Sequence, residues 1–395
     1  MKVAPLIHAI HRHNAAPPLR LDRGEGTGEV SNMSAVGSTR DPRVPVGDSP
    51  AGFAPVSQPS TLNSQLTYRL VHTGQHYDNQ MSQVFFDELG IPAPDVNLEV
   101  GSGTHAAQTA NVMLRFEPVC QQEKPDWVVV VGDVNSTVAC TLVAAKLGIR
   151  VAHVEAGLRS FDRSMPEEIN RVVTDSIADL LLTPSEDGNE NLRREGIPES
   201  RIRLVGNIMI DSVVAHLEKV SGANTLSRLA VEENRFFYVT LHRPSNVDSP
   251  ENLRAVLDVL HSTAKHCPVV FAVHPRTRKR AEEFGLPMQN GSALRVIDPV
   301  GYIDSLALTR SARCVITDSG GLQEESTYFG TPCLTLRPNT ERPVTIQVGS
   351  NRLSSPAQLH DHVDIVLRGP ERLGQIPPLW DGRTAERIVN TLLTL

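Results

Sequence analysis

The sequence lacks the features that define several classes of protein. Five cysteines are scattered through 395 residues, with no Cys-x-x-Cys and no Cys/His spacing of a metal site. No apolar stretch approaches the ~20 residues of a membrane-spanning helix, and no positively charged start precedes a long apolar region. The formal net charge of −7 gives no general attraction for nucleic acid or an anionic membrane. We therefore expect a cytoplasmic globular protein with reduced cysteines, no metal and neither of those partners.

The chain has the pattern of an α/β protein. Its length suggests two domains, and its 40% apolar and 21% charged residues are typical of a globular chain. From Trp127 onward, short apolar runs such as "WVVVV", "RVAHV", "FFYVT" and "VVFAV" alternate with helical patterns. Such alternation predicts parallel sheets covered by helices on both faces. A polar connection over 220–235 would join the two domains.

Polar residues collect directly after these apolar runs. They include Asp133, His153, Glu155, His242, Arg243, His274 and Ser319. Each of them alone is more often a structural residue. Because ligands of parallel α/β folds bind at the carboxyl ends of the strands, the set together predicts a cleft between two domains.

The stretch from Cys314 to Leu336 is the most specific local signal. An apolar run is followed by Ser319-Gly320-Gly321 and then by two adjacent glutamates. Glycines at a strand end let the backbone approach a ligand, and the free N–H groups of the next helix favour an anion. A carboxylate one turn further would suit a sugar hydroxyl, which suggests a nucleotide. A plain strand-to-helix turn with solvated glutamates explains the same residues equally well.

The first 65 residues differ from the rest. Residues 1–14 have the apolar spacing of a helix, and no strand precedes them. Residues 17–65 hold 7 Pro, 6 Gly and 7 Ser in 49 positions. This composition cannot bury a core, so we expect a disordered or loosely packed insertion.

Eight motifs together resemble the UDP-N-acetylglucosamine 2-epimerases, chiefly the non-hydrolysing type. They are "HTGQHYD" (72–78), "GDVNST" (132–137), "HVEAGLRS" (153–160), "MPEEINR" (165–171), "VGNIMIDS" (205–212), "TLHRPSN" (240–246), "DSGGLQEES" (318–326) and "NTERP" (339–343). They stand in the order that the family has. The resemblance covers 67–395 and the first dozen residues, and it implies two Rossmann-like domains in the glycosyltransferase-B arrangement with the substrate between them.

The resemblance also implies site residues. The Ser-Gly-Gly turn would hold the diphosphate and Glu325 the ribose, with His242 at the phosphates and Arg342 at the nucleotide. The implied substrate-binding set is Lys2, Arg171, His274, Ser319, Gly320, Gly321, Glu325 and Arg342.

The implied reaction is the interconversion of UDP-N-acetylglucosamine and UDP-N-acetylmannosamine. C2–H and the anomeric C1–O bond break, UDP leaves, and UDP then returns while C2 is protonated from the other face. No cofactor and no metal are implied. The implied catalytic residues are Asp133, Glu155, Glu167 and His242, and the resemblance leaves open which carboxylate is base and which is acid.

Three alternatives stay open from the sequence: a hydrolysing epimerase that releases N-acetylmannosamine, a glycosyltransferase on the same fold, and a catalytically impaired UDP-sugar binder. The family's first strand and its Gly-x-Arg-Pro turn would precede Lys2, and this sequence does not contain them. We therefore expect a weakened N-terminal half and lowered activity. We also expect a homodimer and a division into 1–210, 211–380 and a C-terminal helix over 381–395 that packs back on the first domain.

Overall fold

The computed structural model describes residues 2–15, 65–74, 88–286, 288, 291 and 293–395. Of the insertion predicted over 17–65, all but the last residue lies outside these ranges, as does most of the "HTGQHYD" motif. Within them, no helix is long and apolar enough to cross a membrane.

The N-terminal part has two parallel sheets. One pairs β1 (Val71–His72) with β2 (Val96–Asn97), and the other has the order β3-β4-β5-β6. The strands of the second sheet are β3 (Trp127–Val131), β4 (Arg150–Val154), β5 (Leu180–Thr183) and β6 (Ile202–Leu204). The helices are α1 (Val3–Ala15), α2 (His105–Glu123), α3 (Asn135–Lys146), α4 (Pro166–Ile177), α5 (Glu186–Arg194) and α6 (Ile208–Ser221). A 3-10 turn, Glu199–Arg201, leads into β6.

The C-terminal part has one six-stranded parallel sheet of order β12-β11-β10-β7-β8-β9. Its strands are β7 (Phe237–Thr240), β8 (Val269–Ala272), β9 (Leu294–Ile297), β10 (Cys314–Thr317), β11 (Cys333–Leu336) and β12 (Asn351–Ser354). The helices are α7 (Thr225–Arg228), α8 (Pro244–Val247), α9 (Pro250–Ala264), α10 (Pro275–Glu283), α11 (Tyr302–Ser311), α12 (Gly320–Phe329), α13 (Val344–Gln347), α14 (Leu359–Arg368) and α15 (Thr384–Thr394).

Both large sheets are buried on both faces, which is why their strands read as continuous apolar runs. In the C-terminal sheet, Val239 and Phe271 face one apolar cluster, whereas Tyr238 and Val270 face another. The last helix, α15, returns to the N-terminal sheet, where Ile388 packs with Ala152 and with residues of α1. The predicted α/β class with parallel sheets is confirmed, because every strand pair in the described ranges is parallel.

Candidate active site

Two carboxylates follow neighbouring strands of the N-terminal sheet. Asp133 comes after β3 and Glu155 directly after β4, and these strands pair in parallel. Glu155 has a left-handed backbone with φ of 70°, which a residue with a β-carbon adopts at a cost of about 1–3 kcal/mol. A β-carbon built at Gly132 would lie 3.7 Å from the Glu155 carboxylate, so the two loops meet closely.

The Asp133 carboxylate binds an arginine of α4. Oδ2 accepts from Nε and Nη2 of Arg171 at 3.0 and 2.6 Å. Burial acts to raise the pKa of Asp133, but Arg171, Lys2 and Arg342 outweigh it and lower that pKa below its ordinary value. Asp133 is therefore ionised in the free protein.

Glu155 is buried and forms an ion pair with the Lys2 ammonium group. Burial acts to lower the pKa of Lys2, but the nearby Glu155 outweighs it and raises that pKa, so Lys2 is charged. The other carboxylate oxygen, Oε1, has no hydrogen-bond partner in the described part of the chain. A buried lone acceptor is costly, and this one is available to a proton or a ligand.

Glu167 and Glu168 are adjacent at the start of α4 but differ in their contacts. Glu168 is buried and accepts from the backbone N–H groups of Ser160 and Phe161 and from Arg171. Glu167 is half-buried, and its carboxylate forms no hydrogen bond or ion pair with another described residue. Glu168 thus has a structural role, and Glu167 is the carboxylate left for a ligand.

The N-terminus of α12 lies against a second group of buried charges. A β-carbon built at Gly320 would lie 2.9 Å from Nη1 of Arg342 and 3.2 Å from the Glu341 carboxylate. Gly321 lies close to Met209, where a β-carbon would stand 3.6 Å from the methyl carbon. Only glycine at 320 leaves room for the arginine beside the helix N–H groups, as an anion site requires.

Arg342 lies in a network that joins both domains. Its Nε is 2.8 Å from Glu324, which also accepts from Asn207, and its Nη1 binds Glu341. Glu341 also pairs with Arg337 at 2.8 Å and lies 3.8 Å from Arg171 of the N-terminal domain. Burial acts to raise the pKa of Glu341, but Arg342, Arg337 and Arg171 hold it far below its ordinary value.

Glu325, next to Glu324, has a different environment. It is 4% exposed and forms no hydrogen bond or ion pair with another residue in the described ranges. Burial, together with the neighbouring Glu324, raises the pKa of Glu325 to about 8. The free protein therefore holds a neutral carboxyl group one turn into α12.

A pair of histidines follows β7 and β8. His242 is half-exposed, and its Nδ1 lies 2.8 Å from Asp318, the residue before Ser319. Asp318 also accepts from the backbone N–H groups of His242 and Arg243, so it ties the end of β7 to the end of β10. The His274 ring centroid is 5.8 Å from that of His242, and its side chain caps α10. Burial and the nearby His242 lower the pKa of His274.

The structure thus brings most of the predicted residues into one continuous region. Lys2, Asp133, Glu155, Arg171, Arg342 and Gly320 lie in the central group of charges, and His242 and Ser319 adjoin it through Asp318. No three His, Cys, Asp or Glu side chains group as metal ligands in the described ranges.

The sequence did not reveal several members of this region. Three such residues are each at most 4% exposed and ion-paired, namely Glu341, Glu324 and Arg337. The sequence pattern did not predict them as site residues. The one available signal was position, because Glu341 precedes Arg342 in "NTERP" and Glu324 precedes Glu325.

This geometry suits the departure of an anion. Buried cations and helix N–H groups stabilise negative charge that develops on a leaving group. Carboxylates beside them can take up and deliver protons. The site therefore places Arg342 and the start of α12 near carboxylates that follow β3 and β4.

Comparisons with known proteins agree with this arrangement. Residues 60–393 match the family model described as UDP-N-acetylglucosamine 2-epimerase. A UDP-N-acetylglucosamine 2-epimerase of Methanocaldococcus jannaschii is 43% identical over 338 residues, which cover 83% of this chain and 92% of the relative. A UDP-2,3-diacetamido-2,3-dideoxy-D-glucuronate 2-epimerase of Pseudomonas aeruginosa is 40% identical over 306 residues, which cover 77% of this chain and 84% of the relative.

Solved structures show the same likeness. The crystal structure of the M. jannaschii UDP-GlcNAc 2-epimerase in complex with UDP-GlcNAc and UDP superposes with a TM-score of 0.77 at 42% identity. The superposition covers 84% of this chain and 93% of that one. The predicted fold, two Rossmann-like domains in the glycosyltransferase-B arrangement, is confirmed. With a family model over most of its length and a relative at 43% identity, the chain belongs to the UDP-N-acetylglucosamine 2-epimerase family.

Proposed function

We propose that this chain is an isomerase that interconverts UDP-N-acetylglucosamine and UDP-N-acetylmannosamine without a cofactor. The observation that carries the proposal is that two carboxylates lie beside buried cations. Asp133 and Glu155 lie at adjacent strand ends, each bound to a cation, and Arg342 is close enough to lower the pKa of Asp133. Family membership and the likeness to a structure complexed with UDP-GlcNAc and UDP support the same substrate.

The reaction is an elimination followed by a re-addition. A carboxylate takes the C2 proton, the C–H electron pair forms the C1=C2 double bond, and the C1–O pair leaves with UDP. UDP then re-adds through its phosphate oxygen to C1 while a proton is delivered to C2 from the opposite face. Atoms and electrons balance, and the net change is the configuration at C2.

The proton-transfer half consists of Asp133, Glu155 and Glu167. Asp133 is ionised beside Arg171, as a base must be, and Glu155 pairs with Lys2. Glu167 has no partner among the described residues and stands at the start of the helix that carries Arg171. Amide-for-carboxylate changes keep the shape and remove the proton acceptor.

The leaving-group half binds UDP. Ser319, Gly320 and Gly321 offer the N–H groups at the start of α12, Glu325 faces the ribose, and Arg342 neutralises phosphate charge. Lys2, Arg171, His242 and His274 add positive or hydrogen-bonding groups at the cleft. The division into 1–210, 211–380 and 381–395, a homodimer and a cytoplasmic location complete the proposal.

A second candidate keeps the chemistry and changes the sugar. The 40% identity to the P. aeruginosa enzyme acting on a diacetamido glucuronate makes a modified UDP-2-acetamido sugar a specific alternative. The two candidates differ in which nucleotide sugar gives the higher kcat/KM.

The deciding experiment is incubation with each nucleotide sugar in deuterated water. Deuterium at C2 of recovered UDP-sugar, together with the C2 epimer, is the expected result. Free N-acetylmannosamine and UDP would instead identify a hydrolase. Tight binding with no exchange would identify a binder and refute the proposal.

A further inference from the structure

A histidine and an aspartate are completely buried beneath the loops that carry Asp133 and Glu155. His153 lies on β4 and Asp175 on α4, and both side chains are 0% exposed. The His153 Nδ1 and the Asp175 Oδ1 are 2.6 Å apart. Neither residue faces the cleft, so the proposed mechanism does not use them directly.

This pair is bonded to the backbone beside both carboxylates. His153 Nε2 donates to the carbonyl of Gly132 at 2.8 Å, and Gly132 immediately precedes Asp133. Asp175 Oδ2 accepts from the N–H of Gly157 at 3.0 Å, two residues after Glu155. The pair therefore bridges the β3 loop, the β4 loop and helix α4.

Both ring nitrogens of His153 face acceptors. Nδ1 lies against the Asp175 carboxylate and Nε2 against the Gly132 carbonyl. Burial acts to raise the pKa of Asp175, but His153 and Arg159 outweigh it and lower that pKa. Arg159 contacts the second Asp175 oxygen at 2.7 Å and also pairs with Glu195, so the buried Asp175 carboxylate has a cation beside it.

Asp133 is consequently held at two points by one helix. Its backbone is fixed through Gly132 and His153, and its carboxylate through Arg171, which lies one turn before Asp175 on α4. No side chain fits at Gly157, since a β-carbon there would be 2.4 Å from the carbonyl oxygen of Gly188. The bridge thus sets the spacing of the two loops.

We propose that His153 and Asp175 are positioning residues that fix the Asp133 loop relative to the Glu155 loop. This inference rests on the proposed epimerase function, in which proton transfer at C2 needs groups placed on both faces of the sugar. A misplacement of about 1 Å at such a site can cost about 100-fold in rate. The pair would act through the carboxylates and touch no substrate atom.

The first test substitutes Asp175→Asn, which keeps the shape and replaces one acceptor oxygen with a donor. Epimerisation kcat should fall about 10- to 100-fold. Calorimetry should show unchanged UDP affinity, because the proposed UDP groups on α12 are untouched. The matched control is His216→Asn, which removes a buried histidine bonded to the carbonyls of Ser212 and Glu88, away from both loops. That variant should retain most of its turnover.

The decisive measurement is the ratio of the rate of C2 deuterium exchange to the rate of epimer formation. Deuterium exchange at C2 of recovered UDP-N-acetylglucosamine needs proton transfer on one face, whereas the epimer needs both faces. Partial unfolding lowers both rates equally, but displaced loops change their ratio. A ratio in Asp175→Asn equal to that of the parent, with rates following the folded fraction, would overturn the inference.

The outcomes separate the two proposals. If the parent protein incorporates no deuterium, the proposed function fails and the positioning inference fails with it. If the parent exchanges normally and the ratio does not move, only the inference fails. Should the variant not fold, neutron diffraction on the unsubstituted protein gives an independent test. A hydrogen on each ring nitrogen of His153 supports the bridge, and a singly protonated ring refutes it.

Discussion

Glu325 offers a sharp test of the site's electrostatics through the substitution Glu325→Gln. The side chain is 4% exposed and forms no hydrogen bond or ion pair with any residue in the described ranges. Its pKa is raised from 4.5 to about 8, first by burial and then by Glu324. Glutamine has the shape of the protonated acid but cannot ionise.

The sign and size of the effect follow from the two pKa values. Between them, the unfolded chain releases a proton that the folded protein keeps, so rising pH favours unfolding. Stability from this group is fully present below pH 4.5 and is lost as pH rises to about 8. At about 1.36 kcal/mol per pH unit, the loss is on the order of 5 kcal/mol.

The assay is thermal unfolding of the parent and the variant without nucleotide. Glu325→Gln should melt on the order of 10 °C above the parent at pH 8 and within about 2 °C of it at pH 5. Glu324→Gln is the matched control, since it removes the carboxylate 2.8 Å from Arg342 and should lower the melting temperature. An equal difference between parent and Glu325→Gln at both pH values would refute the reasoning.

Three further predictions concern the proposed chemistry. Removing any one proposed proton-transfer carboxylate should lower kcat about 10²–10⁴-fold while calorimetry shows UDP still bound, and near-normal C2 deuterium exchange would contradict this. The variants are Asp133→Asn, Glu155→Gln and Glu167→Gln. Glu325→Ala should weaken UDP binding up to about tenfold, as a lost hydrogen bond between neutral groups costs about 0.5–1.5 kcal/mol; an unchanged calorimetric affinity would exclude the ribose role. Arg342→Met leaves two buried carboxylates short of a cation and should cost about 3–5 kcal/mol in denaturant unfolding, with Arg342→Lys intermediate; equal stability of both variants would show that the network is not needed.

The sequence predicted the parts of this fold that depend on local pattern. Continuous apolar runs such as Trp127–Val131 and Cys314–Thr317 became buried parallel strands, because a strand covered on both faces needs apolar residues at every position. The glycines at 320 and 321 correctly indicated a strand-to-helix turn, and at 320 a β-carbon would lie against the Arg342 side chain.

The interactions that arrange the site could not be predicted in this way. Lys2 and Glu155 are 153 positions apart, and nothing in either local pattern specifies their pairing. The left-handed backbone of Glu155 is equally unpredictable, because a glutamate shows no preference for it. Adjacent glutamates were a further difficulty, since Glu168 is bound to backbone N–H groups and Glu167 is not, and only tertiary packing distinguishes them.

The pairing of the carboxylates with cations suggests how leaving-group departure and proton transfer are coupled. In the free protein, Arg171 and Lys2 neutralise Asp133 and Glu155 and keep the pKa of Asp133 low. A diphosphate bound at the start of α12 would compete for these cations and for Arg342, and its negative charge would raise the pKa of Asp133. A stronger base would therefore arise only when the leaving group is in place. On departure, the anion gains the cations that its developing charge requires. One set of buried cations would thus serve both halves of the proposed reaction.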